Sequence, residues 1–279
     1  PLYLFHLSNS HLGLVSIITP TWGCASFISE SIKCIQSQTY TNWELLIQDD
    51  CSTDGTDKVV QEFLVSEVQD TQRTKGDPRI KYECNVQNSG AAITRNNALR
   101  RAKGRWIAFL DSDDLWEPEK LEKQLRFMVD GGYKFSYTSY QEIDSDSRET
   151  GVVIRGPKHV SKLGMYAFCW PGCLTVMYDR QAIGLIQIAN IKKNNDYAMW
   201  LLVCQKADCY LLDEVLAKYR RGRVGSISTH GYSTMIKWHY KLWHEVMGMS
   251  HVASLFWTYI NLICGVYKKL FFSINIQSK

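Results

Sequence analysis

The sequence has no Cys-x-x-Cys pair, no marked excess of either charge, no internal repeat and no visible secretory signal. Nine cysteines are scattered, and Cys169 and Cys173, four apart, have no second pair to complete a zinc set. That spacing excludes the common structural zinc sites and points to reduced thiols in a cytosolic protein. Lys plus Arg number 32 and Asp plus Glu 28, a net +4, too weak a balance for a dedicated nucleic-acid binder, so no nucleic-acid partner is expected. Residues 1–12 are aromatic-rich but lack a basic region and a small-residue cleavage site, so they read as a flexible arm or a vector-derived remnant. The stretch Val246–Tyr267 contains no Lys, Arg, Asp or Glu, yet Ser250, His251, Ser254, Thr258 and Asn261 interrupt it and weaken a membrane-span reading.

With 45% hydrophobic and 22% charged residues, the chain is globular and long enough for a large core. Leu14–Ile18 is a short apolar run broken by Pro20 and Gly23, as a buried strand would be. Ile28, Ile32 and Ile35 form one helical stripe, and Trp43–Ile47 reads as a second strand running into Asp49-Asp50. Cys51-Ser-Thr-Asp-Gly-Thr56 is a turn rich in capping oxygens, followed by a helix marked by Val59, Val60 and Phe63. Ile80–Glu83 is a third strand, Asn88-Ser-Gly90 opens a helix over about 91–102, and Trp106–Leu110 is a fourth strand. Pro118 precedes a helix with a Leu121, Leu125, Met128 stripe. This alternation predicts an open, mainly parallel α/β sheet, whose ligands bind beyond the carboxyl ends of the strands. Past Gly132 the pattern predicts strands at Phe135–Tyr140, Leu174–Tyr178, Tyr210–Leu212 and Val215–Tyr219, a helix over Asn195–Gln205, and helices from Tyr232 onward.

The strand ends place Asp49–Asp54 and Asp111–Asp114 on one edge of that sheet. Three carboxylates in Asp111-Ser-Asp113-Asp114 repel one another, and either a divalent cation or the dipole of the following helix would compensate them. Asp111 and Asp113 also fit the first half of the Asp-x-Asp-Gly-Thr motif of haloacid-dehalogenase-like phosphohydrolases, although Asp114-Leu115 replaces Gly-Thr.

Several segments occur in a fixed order: Val15-Ser-Ile-Ile-Thr-Pro-Thr-Trp22, Ser37-Gln-Thr-Tyr40, Glu44–Asp50, Ser52-Thr-Asp-Gly-Thr56, Asn88-Ser-Gly90, Thr94-Arg-Asn96, Gly104–Asp114 and Trp116-Glu-Pro118. Together they resemble the family 2 inverting glycosyltransferases of GT-A fold, in particular bacterial enzymes that build O-antigen or capsule repeat units. The resemblance implies a nucleotide-sugar-binding half over 13–130, an acceptor-binding half of the same domain over 131–222, and a basic loop with C-terminal helices over 223–279. It implies a UDP-sugar donor contacted by Pro20, Trp22, Asp50, Arg95, Asp111 and Asp113. Asp50 would accept from the uracil imide, Asp111 would lie near the ribose, and Asp113 would ligate Mn²⁺ or Mg²⁺. Trp22 stands where the family usually has Tyr, and Gly23 where it usually has Asn. Asn195-Asp196-Tyr-Ala-Met-Trp200 is similar to the segment that supplies the base, so Asp196 is the expected catalytic residue.

Further candidates are Asp114 beside the metal position, Arg220, Arg221 and Arg223 closing on the diphosphate, and His230 as a metal ligand; a solvated basic loop fits the arginines equally. His239 and His244 read as surface or interface histidines. No Gln-x-x-Arg-Trp of the processive synthases is present, so single addition is expected. The resemblance implies a lipid-linked saccharide as acceptor and a location at the inner face of the bacterial inner membrane. A partner that binds sugar or nucleotide without turnover is the non-enzymatic alternative. The apolar positions from Met235 to Val266, ended by Lys268-Lys269, predict a helical hairpin that packs on the domain, joins a homodimer, or makes a peripheral membrane contact.

Overall fold

The computed structural model describes residues 12–64, 66–67, 74–222 and 232–275. Strands β1 (Val15–Thr21), β2 (Trp43–Asp49), β3 (Ser66–Glu67), β4 (Thr74–Lys75), β5 (Ile80–Cys84), β6 (Trp106–Phe109) and β7 (Leu115–Trp116) come from the first half of the chain. They are followed by β8 (Phe135–Ile143), β9 (Glu149–Ile154), β10 (His159–Val160), β11 (Met177–Asp179), β12 (Cys209–Arg220) and β13 (Ser273–Asn275). The helices are α1 (Ile28–Gln36), α2 (Thr56–Gln61), α3 (Ala91–Arg101), α4 (Lys120–Asp130), α5 (Lys162–Ala167), α6 (Arg180–Ile183), α7 (Asn195–Val203), α8 (Tyr232–Lys241) and α9 (His251–Phe271). The main sheet runs β10-β12-β8-β11-β6-β1-β2-β5, and β3 pairs only with β4. β5, β2, β1 and β6 are parallel to one another, β11 is antiparallel to both its neighbours, and β8 and β12 are again parallel. The expected open, mainly parallel sheet is therefore present. It continues without a break past residue 130, so both halves share one scaffold.

Side-chain alternation decides what each face of the sheet covers. Ile18 and Leu46 face one core with Ala98 and Leu99 of α3 and Trp200 of α7. Val15 and Ile17 face the other with Ile28 and Ile32 of α1 and Leu121 and Leu125 of α4. Every residue of β2 is buried, its apolar Leu45–Ile47 centre flanked by buried Glu44, Gln48 and Asp49.

The later half departs from the sequence expectations in four places. Phe135–Ile143 is longer than predicted and turns back into β9, a hairpin that apolar periodicity did not flag. The predicted strand at Leu174–Tyr178 is a 3-10 turn, Cys173–Thr175, leading into β11. The two strands expected at 210–219 are one strand, β12, with register shifts around Val215. The acidic pair Asp213-Glu214 stands at the shift, and Asp213 accepts the Ser139 hydroxyl across it at 2.8 Å. His239 is buried against the ring of Tyr197 rather than at the surface, and burial lowers its pKa.

The C-terminal hairpin belongs to the domain core. Leu242 and Trp243, in a π-helical turn after α8, are fully buried in the α3–α7 cluster. α9 is inverted in its amphipathicity. Its buried residues are Ser254, Thr258 and Asn261, and Asn261 donates to the carbonyls of Tyr166 and Ala167 at 2.8 and 2.7 Å. Its apolar residues, including Leu255, Phe256, Tyr259 and Leu270, face outward, each more than half exposed. No helix among the described residues is long and apolar enough to cross a membrane.

Candidate active site

The carboxyl ends of β1, β2 and β6 open into a cleft of about 790 Å³, closed on its far side by the start of α7 and by α8. The cleft brings together Pro20, Trp22, Asp50, Arg95, Asp111, Asp113, Asp114 and Asp196, which lie up to 176 positions apart (196 − 20) in the chain. Arg220 lines it too. Arg221 does not; its guanidinium makes two hydrogen bonds to Glu142 Oε1 at 2.9 and 2.7 Å. Arg223 and His230 lie outside the described residues.

The β1 end is shaped by the capping turn after β2. Asp49 accepts from the backbone N–H and hydroxyl of Ser52 at 2.9 and 2.7 Å, and Ser52 Oγ accepts from Gly23 N at 2.9 Å. Asp54 accepts from Ala25 N at 2.9 Å. Gly23 has φ +60°, the left-handed region that glycine and asparagine tolerate best, which accounts for glycine at an asparagine position. This bracing holds Trp22 over the cleft with 55% of its surface exposed.

Asp50 is buried and already bonded. Its Oδ1 accepts from Asn85 Nδ2 at 2.8 Å and Ser89 N at 2.7 Å, and its Oδ2 accepts from Gly90 N at 2.7 Å. The carboxylate thus satisfies backbone donors ahead of α3 and, on a residue that lines the cleft, keeps acceptor capacity on Oδ2 beyond Gly90 N. Asn85 is the organiser the sequence did not reveal. Besides Asp50, it donates to Thr94 and accepts from Gln48 and Asn97, at 2.6–3.0 Å.

Arg95 spans the floor. It donates to Asp111 Oδ1 and to Asn195 Oδ1, each at 2.6 Å. Burial alone would lower its pKa, but the charge of Asp111 and, more weakly, that of Asp196 outweigh it, so Arg95 stays a cation. Through that bond Asn195 bridges α3 and α7.

Asp114 lines the cleft but is held from behind. It is 2% exposed, and its Oδ1 accepts from the backbone N–H of Arg220 at 2.9 Å. Burial, then the charges of Asp113 and Asp111, push its carboxyl well above the usual carboxylate range, against the pull of Arg220. The Arg220 side chain donates to the Asp113 carbonyl, to Asp144 and Ser145 carbonyls, to Ser147 and to Glu30. Those partners engage its three nitrogens, so Arg220 fixes the Asp111–Asp114 turn instead of closing on a diphosphate.

Across the cleft, Asp196 stands in the first turn of α7, half-buried, after Asn194 at φ +57°. Lys192 and Lys193 precede it, and burial and the charge of Lys192 lower the pKa of Lys193. Among the described residues no three His, Cys, Asp or Glu side chains form a metal cage. Asp113 is a hard carboxylate lining an open cleft, a donor that suits Mg²⁺ or Mn²⁺ completed by phosphate oxygens.

Residues 16–182 match the model of Glycosyl transferase family 2. The chain is 36% identical over 257 residues to the putative teichuronic acid biosynthesis glycosyltransferase TuaG of Bacillus subtilis, covering 92% of this chain and 97% of that one. It is 34% identical over 263 residues to WfgD of Escherichia coli, named a UDP-Glc:alpha-D-GlcNAc-diphosphoundecaprenol beta-1,3-glucosyltransferase, covering 92% and 96%. Among solved structures, Staphylococcus aureus TarS 1–349 in complex with UDP-GlcNAc superposes with TM-score 0.62 at 19% identity, over 86% of this chain and 69% of that one. The fold is GT-A, and the chain belongs to glycosyl transferase family 2. That membership leaves the phosphohydrolase reading of Asp111 and Asp113 without support.

Proposed function

We propose that this family 2 enzyme moves one hexosyl unit from a UDP-sugar to a hydroxyl of a lipid-diphosphate-linked saccharide, with inversion, in bacterial O-antigen or capsule assembly. One observation carries the reading: Asp196 and the Asp111–Asp113 turn line one cleft, and Arg95 ties their two walls together. The named reaction of WfgD supports the donor and acceptor classes.

In this reading Trp22 stacks on uracil and the open lone pair of Asp50 accepts its imide N–H. Asp111 sets the ribose end, and Asp113 would hold Mn²⁺ or Mg²⁺. The cation, when bound, neutralises charge on the departing diphosphate. Asp196 accepts the proton of the acceptor hydroxyl as that oxygen attacks the anomeric carbon from the face opposite UDP. An α-linked donor then gives a β-linked product. The lipid-linked acceptor places the enzyme at the cytoplasmic face of the inner membrane.

The test is a panel of UDP-hexoses against synthetic diphosphate-lipid saccharides, with the product linkage read by NMR. A β-linked single addition is expected. A retained configuration, or release of sugar only to water with every acceptor, overturns the proposal.

A further inference from the structure

A second groove of about 790 Å³ adjoins the cleft and shares Asn88, Gly90, Ala91, Lys192 and Trp238 with it. Its own walls come from the loop before α7 and from α8 with the turn that follows: Ile191, Lys192, Trp238, Lys241, Glu245 and Val246. Lys192 is exposed and has no acidic partner among the described residues. Lys241 is 3.1 Å from Glu245, one helical turn away. An exposed pair at that spacing is weak and yields readily to a stronger anion. The groove therefore offers two ammonium groups beside an apolar wall of Ile191, Trp238 and Val246.

Resting on the reading above, we propose that this groove is the subsite for the acceptor's diphosphate and the first carbons of its lipid. The donor diphosphate lies at the other end, by Asp111 and Asp113, and Lys241 does not line that cleft. A diphosphate matches two nearby cations, since charge-assisted hydrogen bonds to phosphate are the strong ones. The sugar at the far end of that diphosphate then reaches towards Asp196, past the shared residues Lys192 and Trp238. On the other side, α8 packs against α9, which carries exposed apolar residues.

The experiment measures binding of farnesyl diphosphate to the full chain with the donor cleft saturated by UDP. Wild type is expected to bind it without displacing UDP. Lys241→Glu weakens that binding by about tenfold or more, the effect of one lost charge-assisted contact. Lys241→Gln gives a smaller loss, and UDP affinity is unchanged in both, which shows that the variants are folded. Inorganic diphosphate binds at least about tenfold more weakly than farnesyl diphosphate, because it lacks the apolar carbons. Competition between farnesyl diphosphate and UDP, equal binding to wild type and Lys241→Glu, or equal affinity for inorganic diphosphate overturns the subsite. Failure of the wild type to bind UDP overturns the donor reading instead.

Discussion

Arg95 on α3 and Asp111 after β6 form a 2.6 Å ion pair at the base of the cleft, and the same guanidinium reaches Asn195 on α7. The pair is mostly buried, so removing one partner leaves an uncompensated charge. Arg95→Ala is expected to lower stability by roughly 3 kcal/mol in urea unfolding and to abolish transfer. Arg95→Ala combined with Asp111→Asn recovers part of the stability and none of the activity. A double variant no more stable than the single one rejects the pairing.

Asp50 makes a nucleotide prediction. Cytosine presents an acceptor where uracil presents an N–H, so CDP leaves the Oδ2 lone pair facing another acceptor. UDP is expected to bind about tenfold more tightly than CDP by calorimetry, from a mismatch of about 1–3 kcal/mol. Asp50→Asn erases that preference. Equal affinities for UDP and CDP in the wild type refute the role.

Metal removal tests Asp113. EDTA is expected to abolish transfer, and Mn²⁺ or Mg²⁺ to restore it. Asp113→Ala loses far more rate than thermal stability, because the carboxylate lines an open cleft rather than the core. Full activity in EDTA removes the metal from the proposal.

Asp196→Asn keeps the size of the side chain and cannot accept a proton. Transfer falls by about 10²-fold or more, the usual loss for a general base. UDP affinity stays near the wild-type value, because the donor contacts are on the other wall. Ordinary turnover in this variant moves the base to another residue.

The outward face of α9 makes the fifth prediction. Residues 232–275 contain four Lys and one Glu, and beside a long apolar stripe this composition suits an anionic bilayer surface. Leu255→Glu with Phe256→Glu is expected to abolish binding to anionic vesicles in flotation without changing UDP affinity. Truncation before α8 is a poor test, since it removes Leu242 and Trp243 from the core. If the double variant instead turns a dimer into a monomer with vesicle binding intact, the face is a protein interface.

The sheet and the carboxylates at its edge were legible in the sequence because they are local. A buried parallel strand is an apolar run, as in Trp106–Leu110, and the chemistry follows it within a few residues, as at Asp50 and Asp111. Asp196 was legible only through its resemblance to a familiar segment, since nothing in its spacing links it to Asp113. Tertiary structure alone decided how each carboxylate of the Asp111–Asp114 turn is held. Asp113 and Asp114 are neighbours, yet Asp114 is held by the backbone N–H of Arg220, 106 positions away. It also decided that Arg220 is a brace, that Asn85 and Asn195 organise the cleft, and that α9 turns its polar residues inward. Each of these depends on hydrogen-bond partners distant in the chain. Apolar periodicity records which faces are buried, not which polar atoms will meet there.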